Sequence, residues 1–391
     1  MSAGTAVAAV LALLAPFPAP PAPPVRCTPP AAVAGPVEPA LAERLRLPAL
    51  HALATGRGQR VAVIDTGVAP HPRLAGRLVG LDDLLAGGDG LADCDGHGTA
   101  VAGLIGAAPD PRDGSAGVAP GARILALRQF SPTVAGPDGR PAGDLRSLAA
   151  ALREAVGAGA TVVNISGAVC LPVEQAATEG APLRSALRAA AVADVVVVAA
   201  AGNVDSGGCA ADRPDLVSLP GWEDGVLTVG AVGPDDRPAR FTARGPWVDV
   251  AAPGTGVRSL SVDGGTGPPL DGTSFAAPLV AGLAALIRER RPGLTAREVV
   301  DRITGTARRP AAGRDEAVGS GVVDPVAALT VEPAVSAVSA VPGGGATRVP
   351  AVPASPKRAA RWPLTALAVL LAITAAAAAA LRPRTGPPPL G

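Results

Sequence analysis

Three short stretches carry side chains able to do acyl-transfer chemistry. In RVAVIDTG, Arg60 to Gly67, an apolar and β-branched run ends in Asp65 and then turns at Gly67. A carboxylate at the carboxyl end of a buried parallel strand faces the crevice where α/β proteins hold ligands. Taken alone, the same Asp reads more simply as a helix N-cap. In DGHGTAVAG, Asp95 to Gly103, small residues surround His97 and leave its imidazole accessible. The chain has 3 histidines; His51 lies in the N-terminal extension and His71 between two prolines. In GTSFAAP, Gly272 to Pro278, Ser274 falls at a helix start, with Pro278 in the first turns where a missing N–H matters less. A Ser at such a place is commonly only a cap, but a nucleophile there gains from the helix dipole and from free amides that stabilise an oxyanion. Together the three supply a nucleophile, a general base and a group that orients the base. Asn203, in AAAGN after the VVVV strand, adds a side-chain amide for a developing oxyanion; alone, Gly-Asn reads as a turn.

The elements that must position these groups alternate. Strands are expected near Arg60–Asp65, Ile124–Leu127, Thr161–Ile165, Val195–Ala199 and Val226–Val229. Helices are expected over Asp144–Val156, Pro182–Val192 and Ser274–Arg290, with a further one through Val101 to Ile105. Alternating β and α with apolar strands predicts an α/β fold, a doubly wound parallel sheet with helices on both faces. The three catalytic candidates then gather at its carboxyl edge.

The remaining composition narrows the class. The chain has 391 residues, of which 48% are hydrophobic, so a large core is available. Net charge is +1, aromatics are 2% and Tyr is absent, which argues against a nucleic-acid surface. The apolar run AVAAVLALLA, Ala6 to Ala15, is too short to span a bilayer and reads as a signal-peptide core, although its n-region carries no Lys or Arg; the alternative is an Ala/Pro leader. LTALAVLLAITAAAAAAL, Leu364 to Leu381, is uncharged and would form a helix of about 27 Å against a hydrocarbon core of roughly 30 Å. A membrane anchor is expected there, the alternative being a buried Ala-rich helix. Flanking arginines are nearly symmetric, so the exported N-terminus sets the orientation, with the catalytic domain outside the cell membrane. The expected organisation is a signal peptide over 1–24, an N-terminal extension over 25–55, a catalytic domain over 56–330, a Pro/Gly/Ala-rich linker over 331–363, a transmembrane helix over 364–381 and a cytoplasmic tail over 382–391.

Four cysteines, Cys27, Cys94, Cys170 and Cys209, form no CxxC pair. An even count in an exported chain suggests two disulfides with three possible connectivities, and Cys27–Cys94 with Cys170–Cys209 is the pairing we expect. No DxDxDG-type calcium loop is present, so neither metal nor cofactor is expected, and chelation should leave activity intact.

The Asp65, His97 and Ser274 motifs, in this chain order, resemble the subtilisin-type serine peptidases, a family in which this order is a known form of the triad. The resemblance covers roughly Ala40 to Leu329 and implies Ser274 as nucleophile, His97 as general base then acid, Asp65 as the group fixing the His97 tautomer, and Asn203 as the oxyanion donor. By the same resemblance, Ser166, Gly167 and Ala168 in VNISGA pair with an extended substrate backbone. Gly167, with Ala200 and Gly202, would line the pocket for the residue before the cleaved bond. Arg26-Cys27, Asp93 to Thr99 (DCDGHGT) and Gly245 to Gly254 (GPWVDVAAPG) are similar to the mycosin branch, membrane-anchored proteases of type VII secretion systems. In that branch a disulfide staples the N-terminal extension to the catalytic domain, which supports the pairing above. The implied function is a membrane-anchored, extracytoplasmic serine endopeptidase with a protein or peptide substrate and a type VII secretion complex as partner. The alternative is a structural subunit of that complex with proteolysis secondary; a weaker third reading is a degradative peptidase without a secretion partner. General-base catalysis by His97 predicts activity lost on the acidic side of an apparent pKa of about 6–7.

Overall fold

The strand at Arg60–Asp65 shows how the molecule is layered. Val61 and Val63 pack into one apolar cluster, Ala62 and Ile64 into another on the opposite face. Successive strand side chains point to opposite faces, so a strand apolar at every position must be covered on both. The structure is a computed structural model that describes residues 40–112, 114–135 and 141–331. The signal-peptide, transmembrane and tail segments, residues 25–39 of the N-terminal extension with Cys27, and the linker after Val331 lie outside the described residues.

The strands are β1 (Arg60–Asp65), β2 (Leu78–Asp83), β3 (Arg123–Arg128), β4 (Ser131–Ala135), β5 (Pro141–Ala142), β6 (Val162–Ile165), β7 (Val169–Pro172), β8 (Val196–Ala200), β9 (Leu216–Leu219), β10 (Val226–Val232) and β11 (Val250–Pro253). The helices are α1 (Ala40–Leu45), α2 (Leu47–Leu53), α3 (His97–Gly106), α4 (Leu145–Gly157), α5 (Val173–Glu179), α6 (Ala181–Val192), α7 (Thr273–Arg290), α8 (Ala296–Gly305) and α9 (Pro325–Thr330). Seven strands form one sheet in the order β11-β10-β8-β6-β1-β3-β2. Every neighbouring pair in it is parallel. β4 with β5 and β7 with β9 make two small antiparallel ribbons.

Helices α4 and α6 cover one face, burying Leu148, Leu152, Leu183 and Leu187. Helices α3 and α7 lie on the other, in the larger cluster. From Thr273 to Ile287, α7 is buried on all sides, so it has no polar face, as expected of a helix in the centre of a core. The expected α/β doubly wound sheet is therefore present. α4 begins at Asp144, whose carboxylate accepts from the Arg146 and Ser147 N–H groups in a capping box. From β1 the chain goes to the edge strand β2 and returns to β3 between them, then crosses to the other side of β1 and runs outward through β6, β8, β10 and β11. The strand order thus reverses between β1 and β6, and the carboxyl ends on either side of that reversal are where such sheets bind ligands.

Candidate active site

Asp65 is the last residue of β1 and fully buried. Directly after it, a Cβ at Gly67 would lie 2.1 Å from the Ala92 carbonyl oxygen, so only glycine allows this approach. His97 is the first residue of α3, which starts four residues earlier than the apolar run alone implies. Gly98 explains the fit: a Cβ there would stand 2.0 Å from the Gly67 carbonyl oxygen and 3.1 Å from the Asp65 Cβ. The two glycines let the β1 turn and the α3 start touch.

That contact brings His97 Nδ1 to 2.7 Å from Asp65 Oδ1. A carboxylate only accepts, so Nδ1 carries the proton and Nε2 is left to act as a base. Asp65 Oδ1 also accepts from the Thr66 N–H at 2.8 Å, while Oδ2 is buried without a partner. Among the described residues the imidazole is thus the one side-chain donor to this carboxylate, in a site too dry to screen the interaction. Burial by itself lowers the His97 pKa. The Asp65 charge and hydrogen bond, with the Asp93 and Asp95 charges behind them, outweigh it and hold His97 above its ordinary value. About 25% of its side-chain surface remains exposed.

Ser274 is the second residue of α7, with Gly272 as N-cap. Pro278 acts differently from expectation. Lacking an N–H, it cannot bond the carbonyl four residues back, which is that of Ser274. Ser166 Oγ donates to this freed oxygen at 2.9 Å, and Asn164 Nδ2 in turn donates to Ser166 Oγ at 2.8 Å. The missing amide therefore ties the nucleophile candidate to the end of β6. The ring of Phe275, the residue after Ser274, lies 5.0 Å from the His97 ring, so the start of α7 meets the start of α3.

Asn203 follows β8. Its Oδ1 accepts from the Thr273 N–H at 3.0 Å and from Thr273 Oγ1 at 2.9 Å, which leaves Nδ2 as the outward group. A Cβ at Gly272 would lie 2.8 Å from Ser274 Oγ and 3.5 Å from Asn203 Nδ2. The amide and the hydroxyl therefore flank one small space that glycine leaves open.

The cleft residues from the sequence also come together. Ile165 pairs with Ala199, so Ser166, Gly167 and Ala168 leave β6 beside the segment from Ala200 to Gly202 at the end of β8. A Cβ on Gly167 would lie 3.3 Å from the Phe130 ring, and a Cβ on Gly202 would lie 3.1 Å from Cys209 Sγ. Cys170–Cys209 is a disulfide. Cys94 is disulfide-bonded as well; Cys27, its expected partner, lies outside the described residues. Residues not singled out from sequence include Phe130, whose ring meets that of His97 edge-on at 6.1 Å, and Thr66, Asp93, Thr99 and Thr273. Asp93, Thr66 and Thr99 did stand inside the quoted motifs, as polar residues among glycines. Among the described residues no group of His, Cys, Asp and Glu is arranged to hold a metal ion, and no helix is long and apolar enough to cross a membrane. A separate cleft of about 430 Å³, bounded by Trp222, Glu223, Trp247 and Asp249, shares no residue with this site.

A buried carboxylate–imidazole pair, a serine at a helix N-terminus and an amide donor on one sheet edge define a serine peptidase, and the subtilase family model matches residues 56–321, so the chain belongs to the subtilase family. Within it, the chain is of the mycosin type. It is 47% identical to mycosin-4 of Mycobacterium tuberculosis over 304 residues, 71% of this chain and 66% of that protein, just under two thirds of its length. It is 41% identical to mycosin-3 of the same organism over 393 residues, 88% of this chain and 84% of that protein. Among solved structures, a chain of an intact ESX-5 inner membrane complex superposes with a TM-score of 0.69 at 35% identity, covering 90% of this chain and 91% of that one.

Proposed function

We propose that the protein is a membrane-anchored, extracytoplasmic endopeptidase that works with a type VII secretion complex through an Asp65–His97–Ser274 triad. The observation that carries this reading is the 2.7 Å bond between His97 Nδ1 and Asp65 Oδ1, and Ser274 Oγ and Asn203 Nδ2 bordering one open space support it. Ser274 Oγ attacks the peptide carbonyl as His97 Nε2 takes its proton, and Asp65 stabilises the resulting imidazolium. The carbonyl oxygen, now negative, receives the Asn203 Nδ2 hydrogen bond. The first amides of a helix have no partner within it. Here Asn203 Oδ1 takes the Thr273 N–H and the Gly272 oxygen takes the Phe275 N–H, so that of Ser274 is the second donor. His97 then returns the proton to the leaving amine, and water repeats the sequence on the acyl-enzyme. Ser166, Gly167 and Ala168 pair with the substrate backbone, with Gly167, Ala200 and Gly202 forming the pocket before the cleaved bond.

The anchor is the uncharged stretch 364–381, and the leader 1–24 directs the domain across the membrane. A second reading, a structural subunit with proteolysis secondary, is favoured by the likeness to a chain of an ESX inner membrane complex. Serine-directed phosphonate labelling of the purified full-length chain, against Ser274→Ala, tests the first reading. Labelling of wild type alone is the expected result. A folded wild-type chain that takes up no label refutes the triad and puts the structural reading in front.

A further inference from the structure

Asp93 is a buried carboxylate to which the triad chemistry assigns no task. It is 7% exposed and accepts four hydrogen bonds. Its Oδ1 accepts from Thr66 Oγ1 at 2.8 Å and from the Gly96 N–H at 2.8 Å. Its Oδ2 accepts from the Thr99 N–H at 2.8 Å and from Thr99 Oγ1 at 2.6 Å. Thr66 is the residue after Asp65. Gly96 is the residue before His97, and Thr99 the second after it. Two further bonds lock the same hydroxyls: Thr66 Oγ1 accepts from the Gly98 N–H at 2.9 Å, and Thr99 Oγ1 from the Ala69 N–H at 2.9 Å. Three of these bonds, Thr66 to Asp93, Gly98 to Thr66 and Ala69 to Thr99, join the turn after β1 to the segment that starts α3, and the other three brace that segment from Asp93 to Thr99.

We infer that Asp93 is a positioning residue for the peptidase reaction: its carboxylate clamps Thr66 against the Gly96–Thr99 turn, sets the Asp65–His97 distance, and adds a second negative charge behind the imidazolium that forms during catalysis. Two physical arguments support this. Burial pushes the Asp93 carboxyl above its ordinary value against the pull of the Thr99 and Thr66 hydrogen bonds. A raised folded-state value means that stability is given up as pH rises through it, so an ionised carboxylate here is held at a cost to folding. In addition, the charged groups acting on His97 are Asp65 at the end of β1 and Asp93 and Asp95 in the loop before α3, all of one sign. Asp95 differs from Asp93 in facing away from the clamp: it accepts from Ser131 Oγ at 2.7 Å and Thr133 Oγ1 at 2.6 Å.

The inference rests on the serine-peptidase reading, and one experiment separates the two. The rate of phosphonate labelling of the full-length chain is measured from pH 5 to 9 for wild type, Asp93→Asn, Thr66→Val and Thr66→Ser, with melting temperatures and the Ser274→Ala control. Asp93→Asn keeps the shape and removes the charge. Labelling should slow about 10–100-fold, and the acid limb should move to lower pH by about one unit. Thr66→Val removes the strand-side hydroxyl and keeps the charge. It should slow labelling about tenfold with the acid limb in place, and Thr66→Ser should restore the rate. A folded Asp93→Asn whose acid limb stays put overturns the proposal, because a merely structural carboxylate gives that result. Wild-type rates in both folded variants overturn it as well. Should Asp93→Asn fail to fold, the Thr66 pair decides: no slowing in Thr66→Val, or no rescue by Thr66→Ser, overturns the clamp. A wild-type chain that is not labelled at Ser274 removes the catalytic reading and this inference with it.

Discussion

The two halves of the site are held by different forces. On the β1–α3 side, Asp65, His97, Asp93, Thr66 and Thr99 are joined by charge-assisted hydrogen bonds between buried side chains and backbone. On the β6–β8–α7 side, Ser166, Asn203 and Ser274 are held by hydrogen bonds between neutral groups, from Ser166 Oγ to the proline-freed Ser274 carbonyl and from Thr273 to Asn203 Oδ1, together with close approaches of small residues and a disulfide. The difference follows the proposed chemistry. The base half must hold a charge that appears on His97, so it is built of acceptors in a dry environment. The nucleophile half must leave room for a substrate carbonyl, so it is built of absences: no side chain at Gly272, Gly167 or Gly202, and no N–H at Pro278.

That contrast can be broken most directly at the nucleophile. Ser274→Ala should lower kcat on the order of 10⁶-fold, the size known for subtilisin itself, with the Asp65–His97 bond and the melting temperature intact. A loss below a hundredfold in a steady-state peptide assay would show that Ser274 is not the attacking group. Next in size is the oxyanion space. Asn203→Ala should cost about 10²–10³ in kcat, the size known for subtilisin's own oxyanion donor. Gly272→Ala should do comparable damage with Asn203 present, because its Cβ would lie 2.8 Å from Ser274 Oγ. A fully active Gly272→Ala would mean that no open space is needed there.

Smaller effects sharpen the comparison. Replacing Cys170 and Cys209 with serine should cost about 2–4 kcal/mol of stability, read by denaturant unfolding. It should also lower kcat/KM about tenfold, because Gly202 rests on Cys209 while its neighbour Asn203 carries the amide donor. The pH profile should not move, since no group of the base half is touched. For wild type, protonated His97 cannot accept a proton, so kcat/KM is full above its pKa and falls about tenfold per pH unit below it. With His97 held above its ordinary value, the midpoint of that limb should lie above about 6.5. A midpoint below 6 would mean that desolvation outweighs the Asp65 charge.

Much of the scaffold is visible in the linear pattern. β1 is Arg60–Asp65 in both, and β3, β6, β8 and β10 each differ by three residues at most from the spans read in the sequence. These strands are buried on both faces, so their apolar runs are continuous and end sharply. Strands β2 and β11 of the main sheet and the ribbons β4–β5 and β7–β9 are absent from the pattern read in the sequence. VAAP, Val250–Pro253, is short and alanine-rich, and β7 is a strand through its pairing with β9, from Val169 opposite Leu219 to Pro172 opposite Leu216. Helix α3 starts early because its first turn is held by Asp93 and by Gly98 against Gly67, none of which contributes apolar periodicity.

Local sequence already marks the groups proposed to do the chemistry: an Asp closing an apolar strand, a His among glycines, and a Ser before a buried helix are each set by residues within a few positions. It also determined that the sheet is parallel, because strands and helices alternate along the chain. How those groups are aimed depends on contacts between segments far apart in the chain. That Pro278 frees the Ser274 carbonyl for Ser166, that Thr273 turns the Asn203 amide outward, and that Asp93 clasps the turns carrying Asp65 and His97 depend on contacts across long stretches of chain. Such contacts leave no periodic trace, because a hydrogen bond between distant segments constrains two positions without constraining anything between them.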